Sequence, residues 1–282
     1  MKKTVIGFIF KGKYLGKDEE TFLKIAKDKN VEVVFFDLTK DLDIKELKDR
    51  LKKCDIVYNN SAEDFSIEFE KTIEGLGKKV IDSTKSHYKT EDKWFFYLKC
   101  VEHKIPTPET ILLSENIKIA EGELSRFRRW PVILKRVEGT CGEFVEKAEN
   151  IKESTRIIKK WKKENSYIPI IAQEFIKSPS YRVTTIGKKI VQTALKQSKG
   201  WKATGVYAKN IGKFDLDKNL VDIVKKINNF SGIKICGIDF LKKNGEWLAL
   251  EINSAPGFDF FESERKKLLG EVLDFLKKEA KH

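Results

Sequence analysis

The stretch Cys236-Gly237-Ile238-Asp239-Phe240-Leu241-Lys242-Lys243-Asn244-Gly245-Glu246-Trp247-Leu248-Ala249-Leu250-Glu251-Ile252-Asn253 decides the fold. It reads as two strands joined at Asn244-Gly245, a dipeptide that favours hairpin turns. In the second strand Glu251 and Asn253 are two apart and share one face, while Leu248, Leu250 and Ile252 take the other. In the first, Asp239 points away from Ile238 and Phe240. The turn decides whether Asp239 joins Glu251. A two-residue turn sets Asp239 opposite Leu250 and mixes polar with apolar faces. A three-residue loop, Lys243-Asn244-Gly245, sets Asp239 opposite Ala249 and brings Asp239, Glu251 and Asn253 together. The hydrophobic pattern favours the second register. Two carboxylates and an amide oxygen on a rigid sheet are hard ligands that suit Mg²⁺. The alternative, a polar face turned to solvent, puts Asp and Glu in mid-strand, where they are disfavoured.

Upstream, the first third alternates strands and helices. Strands at Thr4–Phe10, Val31–Asp37, Asp55–Asn59 and Val80–Asp82 are separated by helical patterns at Asp18–Lys29, Asp43–Lys53 and Phe65–Leu76. That order implies a parallel sheet with helices on both faces. A helix from Thr90 to His103 follows, with Thr90 as its cap. The prolines of Ile105-Pro106-Thr107-Pro108 then enforce an extended segment. Strands at Trp130–Arg136 and Phe144–Lys147 flank the loop Glu138-Gly139-Thr140-Cys141-Gly142. A helix at Ser154–Asn165, a strand at Ile168–Phe175, a hairpin of Tyr181–Ile186 with Lys189–Lys196 and a helix at Asn219–Phe230 complete the approach. A last helix spans Arg265–Lys278.

The totals exclude several classes. With 40% hydrophobic and 35% charged residues, the chain is a globular protein with a heavily charged surface. No apolar run approaches the roughly 18 residues of a membrane helix. Thr4–Phe10 is too short for an export signal and runs on without a cleavage site, so the expected location is the cytoplasm. The 4 cysteines, Cys54, Cys100, Cys141 and Cys236, are dispersed, which argues against a disulfide frame or a zinc site. The net charge of +13 suits an anionic substrate or an acidic protein partner, or simply reflects liberal lysine use. Nothing resembles a nucleic-acid-binding module.

Other signals are weak alone. Small residues in Glu138–Gly142 let backbone N–H groups approach a phosphate, and Lys135 just before them offers a point charge. An ordinary hairpin loop fits the same residues. A strand ending at Gln173-Glu174-Phe175-Ile176 before Pro179 can offer backbone groups to a purine edge. Lys93 opens a helix, where a lysine is usually solvated.

In order, however, Lys93, Lys135 with its loop, the Glu174 hinge, Arg182, Asp239 and Glu251-x-Asn253 resemble the ATP-grasp superfamily. Within it the chain is similar to the RimK-type carboxylate–amine ligases. The most specific matches are Ile105–Thr110, Pro131–Lys135 with Glu138-Gly139-Thr140, and Glu251-Ile252-Asn253-Ser254-Ala255-Pro256-Gly257-Phe258. The resemblance implies an α/β fold, α+β in the grasp. An N-terminal parallel-sheet domain (residues 1–86) precedes a two-lobed ATP-grasp domain. Its central lobe carries the phosphate lid (87–173) and its C-terminal lobe the metal site (174–282). It also implies site roles. ATP would be held by Lys93, Lys135, Glu138, Gly139, Thr140, Cys141, Gly142, Glu174, Phe175, Ile176 and Ser180. Asp239, Glu251 and Asn253 would hold two Mg²⁺, with Mn²⁺ as an alternative ion. Arg182 and Lys202 would act on the reacting anions.

The implied chemistry is ATP-dependent joining of a carboxylate to an amine, most often glutamate. The acceptor would be a protein tail, an acidic carrier or a metabolite. Such enzymes are often dimers or tetramers, so a homo-oligomer is in keeping with the resemblance. A small-molecule kinase and a non-catalytic nucleotide-binding protein are the competing readings. The chain departs from the family at Ser180, where Asp or Glu is usual, at Lys196 and Lys202, where Arg is common, and at Thr204, a usual Asn. A lysine loses bidentate phosphate geometry. Phe258, Phe260 and Phe261 either line the acceptor site or pack against the last helix.

Overall fold

The computed structural model describes residues 3–12, 14–40, 43–61, 64–139, 142–164, 169–202 and 208–281. Its first sheet is fully parallel. Strands β1 (Thr4–Phe10), β2 (Val31–Asp37), β3 (Ile56–Asn59) and β4 (Val80–Ile81) lie in the order β2-β1-β3-β4. Alternation on β1 feeds two cores. Ile6, Phe8 and Phe10 face α1 (Lys17–Asp28), while Ile9 faces α2 (Ile44–Lys53) and α3 (Asp64–Gly75). Asp43 caps α2 through Glu46 N.

Between this sheet and the next lie two helices rather than one, α4 (Thr84–Glu91) and α5 (Lys93–Glu102). The expected helix from Thr90 is corrected here. Ser83 caps α4, and Asp92 leaves helical backbone (φ −79°, ψ 105°) to cap α5 through Phe95 N. An Asp side chain competes well for free amides at a helix start, so Asp92 restarts the helix.

The second sheet, antiparallel, has the order β5-β8-β6-β7: β5 (Thr110–Leu113), β8 (Ile170–Glu174), β6 (Val132–Arg136) and β7 (Val145–Ala148). Helices α6 (Ile117–Phe127) and α7 (Ile151–Glu164) cover one face through Leu124, Ile158 and Trp161, which pack on Val132, Leu134 and Ala172. Ile133, Lys135 and Gln173 therefore face the other way.

The third sheet, also antiparallel, has the order β11-β10-β9-β12-β13: β11 (Asn210–Gly212), β10 (Lys189–Gln197), β9 (Ser180–Ile186), β12 (Ile235–Lys243) and β13 (Glu246–Asn253). Helix α8 (Lys218–Ser231) packs on one face with α5, around Val183, Ile238, Phe240, Trp247 and Ala249. The final helix α9 (Glu262–Glu279) joins Ile186 and Ile235 of this sheet to Phe8 and Tyr58 of the first, so one core spans both ends of the chain. Among the described residues no helix is long and apolar enough to cross a membrane.

The β12–β13 register corrects the expected loop. The turn is the two-residue Asn244-Gly245, both at positive φ (52° and 85°), with Lys243 opposite Glu246. Phe240 faces Ala249, yet Asp239 faces Glu251, because the ladder skips Leu250. That extra residue is a β-bulge, and it flips the faces within the strand. Trp247 and Ala249 before it, and Ile252 after it, share the core face. Leu250 lines the opposite side with Glu251, contrary to the simple alternation expected from the sequence.

Candidate active site

A cleft open to solvent separates the uncovered faces of the second and third sheets. Lys135 and Gln173 come from the second sheet, Ser180, Asp239 and Leu250 from the third, and Phe175 and Ile176 from the segment joining them. Strand alternation aims Lys135, Gln173, Ser180 and Asp239 inward, and the β-bulge turns Leu250 to the same side.

Asp239 is the electrostatic centre and is 2% exposed. Arg182, its register partner on β9, grips it with two bonds, Nε to Oδ1 at 2.6 Å and Nη2 to Oδ2 at 2.7 Å. Lys196 Nζ adds a bond to Oδ1 at 2.9 Å and is itself 1% exposed. Burial pushes the Asp239 carboxyl up, but Arg182 and Lys196 outweigh it and hold the group well below the usual carboxylate range. Burial pushes Lys196 down, against the pull of Asp239. The ring of Phe260 lies over both cations, 5.8 Å from Arg182 and 5.9 Å from Lys196. Phe258 instead is fully buried in the shared core.

Glu251 stands opposite Asp239 and has no hydrogen-bond or ion-pair partner among the described residues. Asn253 stands opposite Gly237 and donates its amide to Gly237 O at 3.4 Å, which turns its own Oδ1 away. The donor set fits a hard divalent cation. Asp239 Oδ2 accepts a single bond and keeps a lone pair, and Glu251 and the Asn253 Oδ1 are unengaged. His, Cys, Asp and Glu alone form no group of three or more at a metal site among the described residues.

Across the cleft, Lys135 is 7% exposed and donates to Gln173 Oε1 at 2.9 Å. Burial pushes it down to about 8, against Glu251, with Lys93 adding to the effect. Lys93 begins α5, and its Nζ reaches Gly139 O at 2.7 Å. Gly139 (φ 130°) and Gly142 (φ 73°) both adopt positive φ, and Glu138 is exposed. Thr140, Cys141 and Thr204 lie outside the described residues.

Glu174 is tied down at both oxygens, accepting from Glu109 N at 3.1 Å and from Lys243 Nζ at 2.7 Å. Phe175 bonds Pro131 O through its backbone N–H, meets Trp201 edge-on and carries Lys147 over its ring. Ile176 and Ser180 are buried beside it, and Lys202 lines the cleft next to Trp201. Thus Lys135, Arg182, Asp239 and Glu251 converge, with Glu174, Phe175, Ile176, Ser180 and Lys202 along the cleft.

Three contributors were absent from the site set read in the sequence. Lys196 was noted there only as a replacement for Arg. Gln173 orients Lys135, and its signal was alternation with Ile171. Gly237 gives Arg182 room: a Cβ there would stand 2.5 Å from Arg182 Nη1. A glycine in mid-strand was the available signal.

Residues 90–274 match the RimK-like ATP-grasp domain model. A probable alpha-L-glutamate ligase of Legionella pneumophila is 25% identical over 219 residues, covering 74% of this chain and 70% of that protein. A coenzyme gamma-F420-2:alpha-L-glutamate ligase of Methanocaldococcus jannaschii is 28% identical over 203 residues, 68% of each chain. The fold matches a RimK domain ATP-grasp protein from Sphaerobacter thermophilus with a TM-score of 0.74 at 14% identity, over 97% of this chain and 100% of that one. With the cationic cleft and its paired carboxylates, these matches establish that the chain belongs to the RimK-like ATP-grasp family and is an ATP-using enzyme of the carboxylate–amine ligase class.

Proposed function

We propose that this ligase attaches an amino acid, glutamate in the first instance, to an anionic acceptor carboxylate. The observation that carries the reading is Asp239 facing Glu251 in register, with Arg182, Lys196 and Lys135 gathered around them. Three cations against two carboxylates favour a polyphosphate and a second anion in one cleft. The names of the relatives supply glutamate.

The reaction transfers the ATP γ-phosphoryl group to the acceptor carboxylate with loss of ADP; the amine then attacks the acyl carbon, and phosphate leaves. Lys93, Lys135 and the Glu138–Gly142 loop, with Thr140 and Cys141, bind phosphate oxygens. Glu174, Phe175 and Ile176 hold the adenine, and Ser180 bonds the ribose. Arg182, Lys196 and Lys202 orient the anionic acceptor and the developing acyl phosphate. Asp239, Glu251 and Asn253 would hold two Mg²⁺, which would supply charge neutralisation to the phosphate oxygens. The Phe260 ring over Arg182 and Lys196 limits water at the reacting carbon. No enzyme nucleophile is required. On this reading residues 1–86 form the α/β domain that precedes the grasp, 87–173 the phosphate-lid lobe and 174–282 the metal-bearing lobe.

The test is ADP and phosphate release from Mg-ATP across amino acids and acceptors, with Asp239→Asn and Glu251→Gln as controls. Release that needs both an amine and a carboxylate supports the ligase. Release with a phosphorylated product and no amine turns the reading to a kinase.

A further inference from the structure

The excess positive charge is not spread evenly. Residues 1–86 hold 18 Lys or Arg against 17 Asp or Glu. Residues 175–214 hold nine Lys or Arg and no Asp or Glu, where an even spread of the chain's 43 acids would place about six. This segment forms β9, β10 and β11. Distant acids answer some of it: Asp239 takes Arg182 and Lys196, Glu271 takes Lys189, and Glu264 takes Lys213. Lys199 and Lys209, both exposed, have no ion pair among the described residues. They sit at one end of β10 and β11, where Lys209 N bonds Gln197 O at 2.8 Å, near Trp201 and Lys202 at the cleft.

Among the described residues strand β11 forms the outer edge of its sheet, and its residues are all exposed. An open edge presents unpaired N–H and C=O groups to any extended chain. Ile211 is 38% exposed and is the register partner of Lys196, so it stands on the face that bears the reaction centre. Lys213, one residue beyond the strand, lies over the Phe261 ring. A free edge, an exposed isoleucine and flanking lysines thus run beside the cleft.

We propose that β11 docks an extended acidic segment of a polypeptide acceptor, which adds to the sheet as a further strand. This rests on the ligase reading and narrows its acceptor to a peptide chain. Main-chain pairing supplies the binding, and the lysines select acidic side chains. Strands repeat every ~4.8 Å, so the docked chain lies about 14 Å from β9 and Arg182. Bridging that gap takes about four extended residues at ~3.3 Å each. An effective acceptor therefore exceeds about seven residues, three on β11 and four to reach the centre.

The probes are decaglutamate, the same peptide N-methylated at alternate residues, decaglutamine, the dipeptide Glu-Glu and a single-stranded oligothymidylate. Binding to the full chain is followed by calorimetry at two salt concentrations, and ADP release by a coupled assay with Mg-ATP and glutamate. Decaglutamate is expected to bind at least about tenfold more tightly than decaglutamine or the N-methylated peptide. The Lys199→Glu/Lys209→Glu variant is expected to lose about tenfold in decaglutamate binding while its KM for ATP is unchanged. Equal kcat/KM for dipeptide and decapeptide, or indifference to N-methylation, overturns the docking while leaving the ligase intact. Oligothymidylate binding as tight as decaglutamate, with the same loss in the variant, also overturns it, because charge alone then explains the strip. Decaglutamate bound through β11 without ADP formation from any acceptor upholds the docking and overturns the ligase reading.

Discussion

Gly237→Ala is the substitution whose outcome follows most directly from packing. An added Cβ would stand 2.5 Å from Arg182 Nη1, 2.7 Å from its Cδ and 3.1 Å from its Cζ. Ordinary contact begins near 3.4 Å, so the guanidinium has to retreat by about 0.9 Å. Its bonds to Asp239, now 2.6 and 2.7 Å, then stretch to the limit of hydrogen bonding. A charge-assisted bond contributes about 1.5–3 kcal/mol net, and Lys196 still holds Oδ1. The expected loss is therefore about 2–4 kcal/mol of stability, with a matching loss of turnover. The assay is a double-mutant cycle of urea unfolding for wild type, Gly237→Ala, Arg182→Ala and the double variant. With Arg182 removed the alanine has space, so its cost should fall by more than about 1 kcal/mol. An equal cost in both backgrounds would refute the steric argument, since strand conformation rather than Arg182 would then be responsible.

Lys135 gives a pH signature. Its folded pKa of about 8 lies below its ordinary 10.5, because burial disfavours the cation. The group therefore opposes folding below about pH 8, and that cost fades as pH rises towards 10.5. If Lys135 binds phosphate as a cation, kcat/KM for ATP should fall as pH rises through about 8, and Lys135→Gln should abolish that step. Asp239→Asn and Glu251→Gln should both lose Mg-dependent turnover but part company in stability. The first strands two buried cations at a cost of about 3–5 kcal/mol, whereas the second, half-buried and unpaired, should shift unfolding by under about 0.5 kcal/mol. Asp82 is buried, accepts from Lys234 N and Ile235 N, and is pushed up to about 6 by desolvation. A raised carboxyl pKa stabilises the fold fully below the ordinary 3.8 and loses that contribution as pH rises through about 6. Asp82→Asn should flatten the unfolding free energy across that window relative to wild type.

Much of this was legible in the residues. The alternation of strands and helices over the first eighty positions named a parallel sheet, and β1 to β4 form one. Cys54, Cys100 and Cys236 are buried as expected of small hydrophobes, and burial pushes Cys54 up to about 11 and the other two to about 12. Strands β5 and β11 and helix α6 escaped notice. The two strands are four and three residues long, too short to establish a period, and Gly122 with Ser125 blurs the helical one.

The sequence by itself determined which faces exist. Glu251 and Asn253 are two apart in a strand and share a face as long as no bulge falls between them, and the bulge of this hairpin lies before Glu251. Tertiary structure decided how those faces meet. The convergence of Asp239 with Glu251 was expected from a three-residue loop, and it arises from a two-residue turn plus a bulge at Leu250. Both routes shift the register by one residue, so face parity in the pattern cannot tell them apart. The grip of Arg182 and Lys196 on Asp239, the clearance at Gly237 and the docking of α9 onto the first sheet join residues far apart in sequence. Local propensity carries no record of such contacts, because burial and charge pairing are settled only when distant segments close on one another.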